Sequence, residues 1–181
     1  MNKKKKLQIG VIGPAGPDLY PEGKAPDPRV YQVAEEVGCL LAQAGVTVVT
    51  GGKSGIMESA AKGAKSAGGI TAGVVIGGKR FTSNPYTDVE ILSGMAADGL
   101  DELLVVLMCD GLILLGGGAG TLEEIAIAYR NGKPIVAVAD TGGWADKLGG
   151  TYLDEREKVK IEVETTPAKA VAKILELVKR V

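Results

Sequence analysis

The 181-residue chain has no histidine, and so lacks the usual general base, the commonest transition-metal ligand and every Ser-His-Asp triad. Any chemistry must fall to carboxylates, lysines, arginines or hydroxyls. Cysteine is nearly as scarce. Cys39 and Cys109 lie far apart, form no CxxC pair and sit in apolar stretches of helical pattern, so two buried free thiols in a reducing compartment are expected, and no zinc-site spacing is present. Aromatic residues make up only 4% of the chain, which argues against an aromatic-rich sandwich. No apolar run approaches the roughly 20 residues that span a bilayer, and the basic start runs into a short strand and Gly13-Pro14 rather than a signal-peptide core. A cytoplasmic protein without a membrane partner is expected. The net charge of −1 gives no electrostatic basis for binding nucleic acid, and residues 1–6, with the run Lys3 to Lys6, are expected to form a disordered, solvated basic tail.

What is present suits one domain spanning 1–181. Apolar residues, mostly small or β-branched, make up 45% of the chain, the composition of a parallel sheet flanked by helices. Leu7 to Ile12 forms a compact apolar strand, followed by a connection through Pro17, Pro21, Pro26 and Pro28 that cannot be helical. Helical spacing from Pro28 to Ala44 stops at Gly45; Val46 to Thr50 is a second strand, and a small-residue helix follows Gly55. Further strands are expected at Ile70 to Ile76, Val89 to Leu92, Leu112 to Leu115, Ile135 to Ala139 and, at an edge, Val159 to Val163. Helices are expected from Leu103 to Cys109, from Thr121 to the stop at Gly132-Lys133-Pro134, and from Thr166 to Val181. This alternation predicts an α/β fold with a single doubly wound, mostly parallel Rossmann-like sheet and helices on both faces. Ligands of such sheets bind beyond the carboxyl ends of the strands, the edge at which the loops beginning at Gly13, Gly51, Gly116 and Thr141 would all stand.

Two of those loops are rich in glycine. Gly116-Gly117-Gly118-Ala119-Gly120-Thr121 links a strand to a helix, where glycines allow close backbone approach and the first helical turn offers N–H groups without an internal acceptor. An anion of phosphate size fits such a place. The alternative is a tight turn in which Thr121 and Glu124 form an ordinary capping box. The second loop, Gly51-Gly52-Lys53-Ser54-Gly55, is not a Walker loop, because Thr47 stands where that motif needs its first glycine. The spacing Gly10, Gly13, Gly16 likewise fails the NAD fingerprint.

Thr50 to Met57 (TGGKSGIM) followed by Gly116 to Glu124 (GGGAGTLEE) resembles the paired motifs of the Lonely Guy superfamily, once widely labelled lysine decarboxylases. The resemblance extends from Ile9 to Ala139, takes in Asn84-Pro85-Tyr86, and is greatest to the branch containing molybdenum-cofactor carrier proteins. It implies a homodimer that binds a small phosphorylated ligand, a nucleotide or a molybdopterin-type cofactor, with no further cofactor required. On that basis Gly13, Gly51, Gly52, Lys53, Ser54, Gly117, Gly118, Ala119, Gly120, Thr121 and Glu124 are the candidate ligand-binding residues, with Ser54 and Thr121 as hydroxyl donors and no metal. The resemblance also implies an alternative activity, a nucleoside 5′-monophosphate phosphoribohydrolase that cuts the N-glycosidic bond with Glu124 as its catalytic carboxylate. Those enzymes carry an Arg-Lys pair where this chain has Asp101-Glu102, an exchange that repels phosphate unless Lys79 or Arg80 restores the charge. Asp110 is expected to cap the turn into its strand, while Glu123 and Glu124 serve equally well as complements to the helix dipole. Lys53 is either a phosphate contact or a solvated loop residue, and the apolar helix around Leu103 to Met108 offers either a dimer surface or a core face.

Overall fold

A computed structural model describes residues 5–94 and 100–179. Residues 1–4 of the basic start, 95–99 of the glycine-containing segment before Asp101, and 180–181 lie outside the described residues. Seven strands form one sheet: β1 (Gln8–Ile12), β2 (Thr47–Thr50), β3 (Ile70–Val75), β4 (Val89–Leu92), β5 (Gly111–Leu114), β6 (Ile135–Val138) and β7 (Ile161–Glu164). Their order is β4-β3-β2-β1-β5-β6-β7, and every neighbouring pair is parallel. The chain winds outward from β1 to β4, then returns to the other side of β1 to lay down β5, β6 and β7. The switch point is therefore the junction of β1 and β5.

Strands β5 and β6 read as unbroken apolar runs because both of their faces are buried. One face is covered by α1 (Arg29–Gln43), α2 (Ile56–Ser66) and α6 (Pro167–Leu177), which pack on Ile9, Val11, Val48, Ile113 and Val136. The other is covered by α3 (Leu100–Met108), α4 (Ala119–Arg130) and α5 (Gly143–Leu148), which pack on Ile12, Val49, Leu112, Leu114 and Ala137. Side chains alternate across each strand, so consecutive residues such as Val11 and Ile12 serve opposite cores.

Helices α1 and α2 touch backbone to backbone. A Cβ on Gly38 would stand 1.9 Å from the Ala60 carbonyl oxygen, and one on Gly63 would stand 1.8 Å from that of Glu35. Two glycines facing each other's helices thus bring the pair closer than any side chain permits, and this sets α2 and the preceding Gly51 loop over the sheet edge. At the other end of the chain, Thr166 caps α6 by accepting from the Lys169 N–H at 3.3 Å, and Pro167 occupies the first turn.

The predicted elements all occur, with shifts of a few residues at their ends. Two short helices are present that the sequence reading does not predict: the proline-rich connection after β1 contains a 3-10 helix (Pro17–Leu19), its proline being tolerated in the first turn, and the glycine loop at Thr141 runs directly into α5. The edge strand begins at Ile161 rather than Val159, the helix before β5 begins at Leu100, and the helix of the second glycine loop begins at Ala119 rather than Thr121. Among the described residues no helix is long and apolar enough to cross a membrane. Cys109 is buried, but Cys39 is only half-buried, because its position on α1 faces outward enough to meet the Gln43 amide at 3.4 Å.

Candidate functional site

A cleft of about 240 Å³ opens at the β1–β5 switch point. Three segments meet there: the loop after β1, the Gly51 loop after β2 and the first turn of α4. Their approach depends on Gly13, because a Cβ at that position would stand 2.1 Å from the Leu115 carbonyl oxygen; the neighbouring Leu115 N–H donates to the Ile12 carbonyl at 3.0 Å. The fourth loop of this edge stops short of the cleft. Thr141 instead buttresses the glycine loop, its Oγ1 accepting from the Gly116 N–H at 2.9 Å and donating to the Val138 carbonyl at 2.6 Å. The Ala145 N–H then donates to the Gly116 carbonyl at 2.9 Å.

Of the predicted residues, Gly13, Gly51, Lys53, Gly118, Ala119, Gly120, Thr121 and Glu124 line the cleft. Gly52, Ser54 and Gly117 stand behind it and shape its loops. The Gly52 N–H donates to Thr50 Oγ1, Ser54 Oγ lies against Gly16, and Gly117 packs on Thr121 and Gly143. Gly118 precedes α4 in an extended conformation, and no side chain caps the helix. The capping box is therefore not formed: with the helix beginning at Ala119, Thr121 lies inside its first turn and Glu124 one turn further on, both buried. The amides of this first turn have no acceptor within the helix. A Cβ on Gly118 would meet nothing within 4 Å, so empty space faces them.

The opposite wall is acidic. Asp101 and Glu102, at the start of α3, both face the cleft, and the Lys53 ammonium lies 3.3 Å from Asp101 Oδ2. Burial pushes the Asp101 carboxyl up, but a hydrogen bond from the Glu102 side chain and the charge of Lys53 outweigh it and hold the carboxyl below its usual range. Glu124 is displaced in the opposite direction. Burial pushes its carboxyl well above the ordinary value, and the negative charges of Glu102, Asp101 and Glu123 add to the shift against the opposing pull of Lys53. Two carboxyls of one cleft are thus pushed in opposite directions by their surroundings. The basic loop expected to restore the missing charge lies elsewhere. Arg80 stands over the Phe81 ring at 4.7 Å and lines a separate recess beside β4, and Lys79 precedes it on the same loop, also away from the cleft wall. Lys53 is consequently the lysine of the cleft, paired with Asp101 while its side chain remains exposed to solvent.

Several contributors escaped the sequence reading. Met57, Tyr20 and Val105 supply apolar wall between the polar groups, and nothing in their local pattern distinguishes them from ordinary core or loop residues. Asp110 does not cap its own turn; its Oδ2 accepts from the Gln8 N–H at 2.8 Å and joins the start of β1 to the entry of β5. Trp144 stays out of the cleft, packed against the core beneath α5 with the Lys147 ammonium 4.6 Å from its ring centre. Among the described residues no group of three or more acidic or cysteine side chains is disposed to hold a metal ion.

A family model described as the SLOG cluster4 family matches residues 6–171. A cytokinin riboside 5′-monophosphate phosphoribohydrolase of Mycobacterium tuberculosis is 30% identical over 150 residues, covering 78% of this chain and 79% of that protein. The molybdenum cofactor binding protein of Rippkaea orientalis superposes with a TM-score of 0.80 at 27% identity, covering 97% of this chain and 99% of the other. The molybdenum cofactor carrier protein of Chlamydomonas reinhardtii does so with a TM-score of 0.77 at 31% identity and the same coverage.

Proposed function

The chain belongs to the SLOG cluster4 family, and from that premise we propose that its switch-point cleft binds a phosphorylated small molecule, a nucleotide or pterin-type cofactor, with the phosphate on the first turn of α4. The observation that carries this is the pairing of acceptor-free amides at Gly118 to Thr121 with the empty space in front of Gly118. The Thr121 hydroxyl stands in the same turn and adds a donor. Two similar structures are a cofactor-binding protein and a cofactor carrier by name, which supports a protein that holds its ligand rather than transforms it.

Hydrolysis of a nucleoside monophosphate is the second reading, favoured by the phosphoribohydrolase relative and by the place of Glu124 in the cleft wall. A carboxyl whose hold on its proton is strengthened by burial and by neighbouring negative charge is better suited to donate to a departing base than to take a proton from water, so Glu124 would act as an acid. Release of free base by the protein, abolished in Glu124→Gln, would establish that activity. A homodimer is proposed with it, through the outer face of α3, on which Leu107 is 47% exposed.

The binding proposal is tested by thermal shift with a panel of nucleoside monophosphates and molybdopterin. A ligand that binds only the folded state raises the melting temperature by mass action. Gly118→Asp has room for its side chain and places a carboxylate where the phosphate would lie, so the variant is expected to fold and to lose the shift. An unchanged shift in Gly118→Asp refutes the placement.

A further inference from the structure

Outside the cleft, the loop between β3 and β4 presents an aromatic ring to water. Phe81, the chain's one phenylalanine, is 84% exposed, and its φ of 61° lies in the left-handed region that a bulky side chain rarely adopts. Such a backbone persists only where its surroundings hold it. Glu90 does so: the N–H groups of Ser83, Phe81 and Thr82 donate to its carboxylate at 2.8, 2.6 and 2.8 Å and hold its pKa down to about 2. A braced loop thus keeps the ring in place where it buries little within one chain. Beside it lies a recess of about 430 Å³ whose walls include Ser83, Pro85, Thr87 and Val89. Val89 is half-exposed and belongs to β4, beyond which no described strand lies.

We propose that Phe81 and this recess form a self-complementary interface covered by a second copy of the chain, the Phe81 ring of each copy filling the recess of the other about a two-fold axis beside β4. A projecting ring and a hollow on one patch are what an isologous contact requires, since residue i must meet residue j while j meets i. Charge divides the patch in the same way. Lys79 and Arg80 precede the ring, and Asp88 and Glu90 stand on the β4 side of the recess, so the two-fold sets the basic edge of one copy against the acidic edge of the other. Among the described residues Arg80 makes no ion pair, which leaves its charge to a partner. The contact also covers an edge strand, which native sheets seldom leave bare. It is separate from the α3 face and independent of what the cleft holds. Asn84 nevertheless joins it to the cleft, donating its backbone N–H to the Gly52 carbonyl at 2.7 Å and its side-chain amide to the Lys53 carbonyl at 3.0 Å. A seated partner therefore braces the loop that carries Lys53.

Sedimentation velocity on the full chain, over roughly a hundredfold range of concentration, reads the association. Leu107→Glu removes the contact proposed for α3, and a protein carrying it should still dimerise. Adding Phe81→Gly should weaken that dimer about tenfold or more, the loss expected for a central aromatic anchor. Arg80→Glu should weaken it too. In the chain with Leu107 intact, Phe81→Gly should take away one step of assembly, so the comparison survives if Leu107→Glu does not fold. Phe81→Gly should also melt no lower than its parent when both are dilute enough to be monomers, because glycine adopts the left-handed backbone freely and the lost ring buries little within one chain. A lower melting temperature with unchanged association would make Phe81 part of the fold and overturn the interface. So would a chain that is monomeric at every concentration, or a dimer indifferent to both Phe81→Gly and Arg80→Glu.

Discussion

Replacing Glu124 by glutamine should make the protein more stable at neutral pH, in a way that depends on pH with a defined sign. In the folded protein burial and three neighbouring carboxylates keep Glu124 protonated above the ordinary glutamate value of 4.5, whereas the unfolded chain titrates near that value. Below about pH 4.5 both states hold the proton and the residue contributes no pH dependence. Above it the native state holds one proton that the unfolded state has released, so stability falls with rising pH by about 1.4 kcal/mol per unit until Glu124 itself ionises. The Glu124→Gln side chain is neutral throughout and escapes this loss. The gap between the two proteins should therefore widen from pH 4.5 upward, each kcal/mol appearing as about 2–4 °C in Tm for a domain of this size. Urea unfolding of both proteins at four pH values between 4.5 and 7.5 measures it. The slope of the gap is the decisive quantity, since a constant offset reports only the difference between an amide and an acid. A gap that stays flat across the range, or a Glu124→Gln variant that becomes relatively less stable as pH rises, would refute the protonated state.

Gly38→Ala should destabilise the fold even though alanine is the better helix former by about 1 kcal/mol, because its Cβ would drive α1 off α2 and overpacking typically costs about 1–3 kcal/mol or more. A melting temperature equal to or above that of the wild type would show that the helices do not touch there. A colourimetric thiol reagent should label Cys39 in the native protein and reach Cys109 only after unfolding, since Cys109 is buried and desolvation raises its pKa. Two thiols titrating at once under native conditions would contradict the packing of α3 against the sheet.

The parts legible in the sequence were those governed by local pattern. Apolar runs such as Leu112 to Leu115 are strands because a central parallel strand is buried on both faces, and the glycines after them mark the βα turns. Parallel strands then bring loops far apart in the chain to one edge, which is why Gly13, Gly51 and Gly118 could be placed together from the sequence. What could not be read depended on partners remote in sequence. The ion pair of Lys53 with Asp101 joins residues 48 positions apart and follows from how α3 is laid beside the second loop. The inward turn of Glu124, and hence its proton, follows from the helix starting at Ala119 rather than Thr121. Gly38 and Gly63 look like helix defects until the two helices are set side by side, when they become the contact. Thr141 was placed at the correct edge yet serves the loop rather than the ligand, a distinction that depends on side-chain direction.

That service by Thr141 bears on how quickly the cleft can fill and empty. The glycine loop is tied on one side through its Gly116 N–H and on the other through its Gly116 carbonyl, both to the segment that follows β6. Its shape is thus already set before a phosphate arrives, and little ordering entropy remains to be lost on capture. Association should then follow ligand concentration in a single kinetic phase, with no slow step for loop closure, and the lifetime of the complex should be set by the hydrogen bonds to the ligand alone.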